Sequence, residues 1–205
     1  MATTTTNYGF DIPQSTDLVK DGATAIATLG QDIDTAMNTA LGTKKAGMVL
    51  LNTTSFSGVS SANIDNLFSA TYRNYKIVLA GKVASGDADI TMKFRKAGST
   101  TTDSNYIRQY LHSTGASVNS GLVTGQTFAR IGNLGSTQSG VEVTLYSPFL
   151  SESTILLGSS PTSTNTTSLR LEAGAHTTTD SYDGIQVAPT SSTITGQISI
   201  YGWNE

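Results

Sequence analysis

The sequence predicts a mainly β protein, an antiparallel β-sandwich of jelly-roll type preceded by an N-terminal arm and one short α-helix. Three observations carry that expectation. The 205 residues are 37% apolar and only 13% charged, both low for a globular domain, yet the apolar residues gather in blocks such as Tyr75 to Val83 instead of being diluted as in a disordered chain. Beyond Lys44 and Lys45 the chain breaks into short runs separated by Gly, Ser, Thr and Asn, with no helical stretch between them. Several runs also alternate strictly: Ile90, Met92 and Phe94 against Thr91, Lys93 and Arg95; Val141, Val143 and Leu145 against Glu142, Thr144 and Tyr146; Ile198 and Ile200 against Gln197, Ser199 and Tyr201. Alternation of that kind puts one face in a core and the other in water.

The elements follow in order. Residues 1–14 are polar apart from Tyr8, Phe10 and Ile12, which alternate at strand spacing and stop at Pro13, so an extended arm is expected, free or docked on a neighbouring subunit. Ser15, Thr16 and Asp17 are candidate N-caps for a helix, and Asp17 and Asp21 suit the positive end of its dipole. From there Val19, Gly22, Ile26, Leu29, Ile33, Ala36 and Ala40 recur at steps of three and four, the spacing of a coiled-coil seam, and Gly42 is a plausible C-cap. Gly30 inside this helix costs about 1 kcal/mol relative to Ala. A helix that weak needs a surface, either its own sandwich or copies of itself, and Ile at such positions favours three strands or more. The chain therefore divides into 1–45, an arm with a trimerising helix, and 46–205, the sandwich.

Strands are expected at 48–56, 75–83, 89–96, 106–112, 128–134, 141–147, 154–157, 168–173, 184–188 and 196–203, with a short helical turn at 60–68. The segments 98–105, 159–167 and 177–182 are almost wholly small and polar and read as loops. No period of 20 to 50 residues repeats, which disfavours a propeller or β-helix.

Charge and composition exclude several functions. With 12 basic and 15 acidic residues and no basic cluster beyond Lys44-Lys45, phosphate neutralisation on a nucleic acid is not expected. Without cysteine there is no disulfide, thiol catalysis or Cys-based zinc site, which fits assembly in a reducing cytoplasm. The start, Met1-Ala2-Thr3-Thr4-Thr5-Thr6, has no signal-peptide pattern, and no apolar run reaches the roughly 18 residues that cross a bilayer, so membrane insertion is not expected.

Catalytic constellations are equally sparse. The only histidines are His112 and His176, and neither lies in a nucleophile, P-loop or dinucleotide motif; no catalytic residue, metal site or cofactor is expected. Asp87 with Asp89, and Asp180 with Asp183, could bind calcium or act on a sugar, but each pair sits at a turn position where Asp serves backbone hydrogen bonds. Aromatic residues offer sugar-stacking surfaces: Tyr106 and Tyr110 share a strand face with Arg108, and Tyr201 shares one with Trp203. These five are the candidate receptor contacts, with packing at subunit contacts or sandwich edges as the alternative.

The stretch Asn7-Tyr8-Gly9-Phe10, Pro13, Thr16 to Gly22, Ile26 to Gly30 and Ile33-Asp34 resembles a segment near the start of phage minor structural proteins of the tail-fibre and appendage kind. The blocks Tyr75 to Leu79, Met92 to Gly98, Asn105 to Leu111 and Gly196 to Gly202 are similar to the body of the same proteins, in a looser pattern. The resemblance implies a homotrimeric virion component, made in the host cytoplasm, whose arm fastens to other virion proteins while the sandwich points outward toward host surface glycan. A capsid decoration protein and, from another class, a glycan depolymerase are the alternatives.

Overall fold

The computed structural model describes residues 3–6, 9–12, 19–41, 47–163 and 167–203. The chain forms two compact units, Met1–Ala46 and Gly47–Glu205. In the first, β1 (Thr3–Thr4) and β2 (Asp11–Ile12) pair antiparallel, Thr3 opposite Ile12. Thr5 closes the turn: its amide donates to the Phe10 carbonyl at 2.9 Å, while its carbonyl accepts from the Gly9 amide and its hydroxyl from the Phe10 amide. The arm is thus a hairpin where an extended segment was expected, because the threonine satisfies the turn locally. Tyr8 and the capping candidates Ser15, Thr16, Asp17 and Gly42 lie outside the described residues.

Helix α1 (Val19–Leu41) follows. Thr28 and Thr39 return their hydroxyls to the carbonyls of Thr24 and Thr35, which satisfies them without a tertiary partner. On the seam, Gly22, Leu29 and Ala36 are half-buried, whereas Ile26 and Ile33 remain 65% and 40% exposed. The side chains of Val19 and Ala40 lie outside the described part.

The second unit contains β3 (Val49–Val59), β4 (Ala62–Ile64), β5 (Asn74–Val83), β6 (Asp87–Lys96), β7 (Ser99–Thr100), β8 (Tyr106–Thr114), β9 (Ser117–Gln126), β10 (Ala129–Gly135), β11 (Ser139–Tyr146), β12 (Thr154–Ser163), β13 (Thr167–His176), β14 (Gly184–Pro189) and β15 (Ile194–Trp203). One sheet runs β3-β15-β5-β11-β12-β13-β8-β9; the other runs β10-β6-β14-β4, with β7 beside β6. All pairings are antiparallel. The path β3, β4, β5, β6 meets a return path in which β15 lies next to β3, β14 next to β4, β11 next to β5 and β10 next to β6, alternating between sheets. That is the jelly-roll winding. Two hairpins are inserted into it, β8-β9 before β10 and β12-β13 after β11, and they join through β13 and β8 to widen the first sheet. These four strands form a wing.

The core lies between the sheets. Ile77, Val143 and Ile198 of the first sheet meet Ile90, Met92 and Ile185 of the second in one buried cluster, as the alternating runs predict. Gly81 and Gly196 stand opposite one another on β5 and β15; a Cβ on Gly196 would fall 2.3 Å from the Ala80 carbonyl oxygen, so the strands approach only where both lack side chains. Pro161 lies past the last β11 partner of β12, Ser159, on a stretch with one neighbouring strand, where proline is tolerated.

Three local expectations change. The segment 60–68 contains β4, not a helical turn, because Ile64 is buried opposite Ile185 of β14. The segment 159–167 is largely strand: β12 continues to Ser163 and pairs with β13 throughout. Strand β9 was not anticipated, since in Ser117 to Gln126 the aliphatics Val118, Leu122 and Val123 are scattered among polar residues and glycine; pairing with β8 supplies what its own pattern lacks. Gly196→Ala should lower stability by about 1–3 kcal/mol through overpacking, read as a reduced urea midpoint with an unchanged slope.

Candidate functional site

The wing reverses the usual relation between alternation and burial. On β13, Glu172 is only 1% exposed while Leu171 beside it is 41% exposed. The polar face points inward, where β10 of the second sheet lies against β12 and β13, and the aliphatic face points outward. The expectation that the apolar face of each alternating strand is the buried one fails here because the second sheet ends at β10.

Inward-facing charges meet in pairs. Arg108 of β8 donates through Nη1 to both carboxylate oxygens of Glu172, at 2.9 and 3.3 Å. Asp89 of β6 accepts from Arg170 of β13 at 2.5 Å and from Arg130 of β10 at 2.6 Å, so one carboxylate ties the wing to the second sheet; the Asn133 side-chain amide adds a bond at 3.3 Å. Three guanidinium groups thus face two carboxylates, a surplus of one positive charge. The Nε atoms of Arg130 and Arg170 are buried without a hydrogen-bond partner. His112 pairs with Arg170 across the β8-β13 ladder, and burial first, then Arg170, pushes its pKa below the usual imidazole value, keeping it neutral at pH 7. Tyr110 opposes Gly121 on β9, whose missing side chain leaves room for the ring. The Arg108 guanidinium lies over that ring, 4.7 Å from its centre, a cation–π contact.

The five aromatic and basic candidates separate. Arg108 and Tyr110 share this half-exposed inner face. Tyr106, on the same strand face, is buried: its hydroxyl accepts from the Phe94 amide at 2.8 Å, so it has no surface to offer a receptor. Tyr201 and Trp203 lie half-buried on the opposite, outward face of the first sheet, Tyr201 across from Lys76. Arg130, Arg170, Glu172 and the bridging role of Asp89 were not singled out from sequence. The alternation of Arg170 and Glu172 with Leu169 and Leu171 was the available signal, and it reads equally well with either face outward.

The acidic pairs resolve into structural roles. Asp180 pairs with Lys96 at 2.8 Å, both exposed, and Asp183 accepts from the Ala97 amide at 2.8 Å, bracing a turn in which Ala97 and Gly98 have positive φ. His176 is buried between Asp103, 2.7 Å from Nε2, and the hydroxyls of Thr178 and Tyr182 at Nδ1, packed against the Tyr106 ring at 4.1 Å. This acid–imidazole–hydroxyl series stitches the loop after β13 to the core. Among the described residues no group of three or more His, Asp and Glu could hold a metal ion, and no helix is long and apolar enough to cross a membrane.

No family model matches the sequence, and no curated protein does. Among solved structures, the chain is similar to the CBM40 of a Ruminococcus gnavus IT-sialidase bound to α2,3-sialyllactose, at 10% identity over 75% of this chain and 92% of that one, with a TM-score of 0.31. The same module bound to α2,6-sialyllactose gives 8%, 75%, 93% and 0.28, and a further structure of it gives 8%, 75%, 92% and 0.29. A likeness at this level transfers no ligand.

Burial holds the Glu172 pKa above the ordinary carboxylate value, with the Arg108 hydrogen bonds pulling it down. Arg108→Ala should therefore cost about 3 kcal/mol at neutral pH, since it strands a buried charge. The loss should shrink as the pH is lowered from neutral toward the ordinary carboxylate range: with its pKa raised in the folded state, Glu172 takes up its proton there first, and stability rises on acidification. Urea midpoints of variant and parent across that range check it.

Proposed function

We propose that this chain is a non-catalytic structural subunit of a phage particle, a homotrimeric tail-fibre or surface-appendage protein that contacts host glycan. The observation that carries the reading is the helix seam: Ile26 and Ile33 stand 65% and 40% exposed on a helix with Gly22 and Gly30 in its interior. A helix of low intrinsic propensity gains little by itself, and large aliphatics at seam spacing gain by packing on copies of the same helix. The resemblance of residues 7–34 to phage fibre proteins supports the particle, with the N-terminal unit as the attachment to other virion proteins. The jelly roll supplies a display module, and the engagement of Asp89, Asp180 and Glu172 by basic side chains supports a binding role over a cleaving one.

Sedimentation of the purified chain tests the assembly. The parent should run at three chain masses, and an Ile26→Asp, Ile33→Asp variant should need at least about tenfold higher concentration to associate. An unchanged mass–concentration curve for the variant would remove the helix from the interface.

For the sugar contact, the inner wing face brings a surplus positive charge next to a half-exposed tyrosine ring, which suits a sugar bearing a carboxylate. Calorimetry should find acidic polysaccharide bound in preference to neutral polysaccharide, more weakly as salt is added, and about tenfold more weakly by Tyr110→Ala. Equal affinity for both polymers would locate recognition elsewhere.

A further inference from the structure

We infer that the outward face of the wing is a contact surface between copies of this chain, separate from the helix. Along β12, β13, β8 and β9 the outward positions are every second residue, from Ile155 to Pro161, Leu169 to Ala175, Ile107 to Ser113 and Val118 to Leu122. No charged side chain occurs among them. In register, Leu157, Ala173, Gln109 and Leu122 form one row, and Leu171 and Leu111 pair in the next. Leu122 is 69% and Leu157 51% exposed. Two shallow depressions of about 270 Å³ each share Gln109 and Ala173 in their linings, one walled also by Leu111, Leu157 and Leu171, the other by Ile107, Leu122 and Ile155.

Size argues for a protein partner. Four strands about 4.8 Å apart, each presenting about seven residues at about 3.4 Å, make roughly 450 Å² in plan, already within the upper range of apolar patches on monomers. Continued across the outward faces of β11 and β5 the plan approaches roughly 700 Å², near the about 800 Å² that each partner gives to a stable interface. The Lys76–Glu142 ion pair at 2.7 Å lies on that continuation and supplies a polar rim.

Composition argues for the same chain. In a protein only 37% apolar, many large aliphatics are spent on an outward face, at odds with solvation as a monomer. An uncharged face brings no like-charge penalty when it meets its own copy, even with a net charge of -3, and it carries no pattern to select an oppositely charged stranger. The edge strand points the same way. β9, Ser117 to Gln126, pairs only with β8 and contains neither a charge nor a proline, the devices that keep free edges apart. Its aliphatics also make a poor sugar platform, which stacking on aromatic rings would provide.

The test uses the full chain carrying Ile26→Asp and Ile33→Asp, so that it reads the wing whether or not the helix assembles. Leu122→Cys gives that chain, which has no other cysteine, a single thiol. Its maleimide labelling should slow at least about tenfold as protein concentration rises through the association range, in step with sedimenting mass. Leu122→Glu with Leu157→Glu, both at positions more than half exposed, should keep the β-sheet circular dichroism and abolish the rise in mass. Labelling that stays equally fast at every concentration overturns the inference. So does a glutamate variant that associates like its parent. Flotation with phosphatidylcholine vesicles, lost in the glutamate variant and without concentration-dependent protection of the thiol, would assign the face to lipid instead and would equally overturn it.

Discussion

One carboxylate holds the two layers of this protein in register beyond the reach of its hydrophobic core. Asp89 rises from the second sheet and is shared by Arg130 at that sheet's edge and Arg170 on the wing. The first sheet continues for four strands past β11, and although Leu156 of β12 and Tyr106 of β8 still join the apolar core, the seam around Asp89 is not a conventional core. Charge takes its place. Buried ion pairs add little net stability relative to a well-packed apolar contact, but their geometry is specific: Arg108 reaches diagonally to Glu172 and both remaining guanidiniums lie on Asp89. With the polar side chains committed inward, strand geometry leaves the aliphatic ones facing out. The unusual surface of the wing is therefore a consequence of how it is anchored.

The jelly roll beneath is ordinary by comparison, and this lets it accept two insertions. One hairpin leaves from the connection between β6 and β10, neighbours in the second sheet, the other from the crossing between β11 and β14, and both return without disturbing the four pairs of the winding. Their mutual pairing through β13 and β8 means that neither hairpin stands alone, which matters because an isolated two-stranded ribbon is marginal in water. The buried His176, held between Asp103, Thr178 and Tyr182, fixes the far end of β13 where it leaves the wing.

Much of this architecture is legible in the residues. In a two-layer sandwich periodicity and burial carry the same information, so the alternating blocks at Ile90 to Phe94, Val141 to Leu145 and Ile198 to Ile200 place strands and their apolar faces. On β6 the face expected in water is also partly buried, Thr91 at 9% and Arg95 at 6% exposure, with Arg95 held by Asp65 at 2.6 Å. The wing breaks that equivalence. Nothing local tells Leu171 that its neighbour Glu172 will be the buried one; the answer depends on where a strand forty residues away in the chain, β10, comes to lie. For the same reason the network of Arg108, Arg130, Arg170, Asp89 and Glu172 cannot be assembled from spacing, as its members come from four strands in two sheets. Tyr106 was legible as a member of the Arg108–Tyr110 face but not as a core residue, because one strand passes from beneath the sandwich to beyond it. β9 offers the weakest local pattern of all, and only its ladder with β8 makes it a strand.

The bare edge of β9 bears on the fate of a newly made chain. Ten residues of unguarded backbone, flanked by leucine and valine, will pair with whatever extended chain arrives first. An isolated copy therefore offers an edge on which any extended segment can add as a further strand, so the wing, and not the closed winding beneath it, is where misassociation of newly made chains would begin.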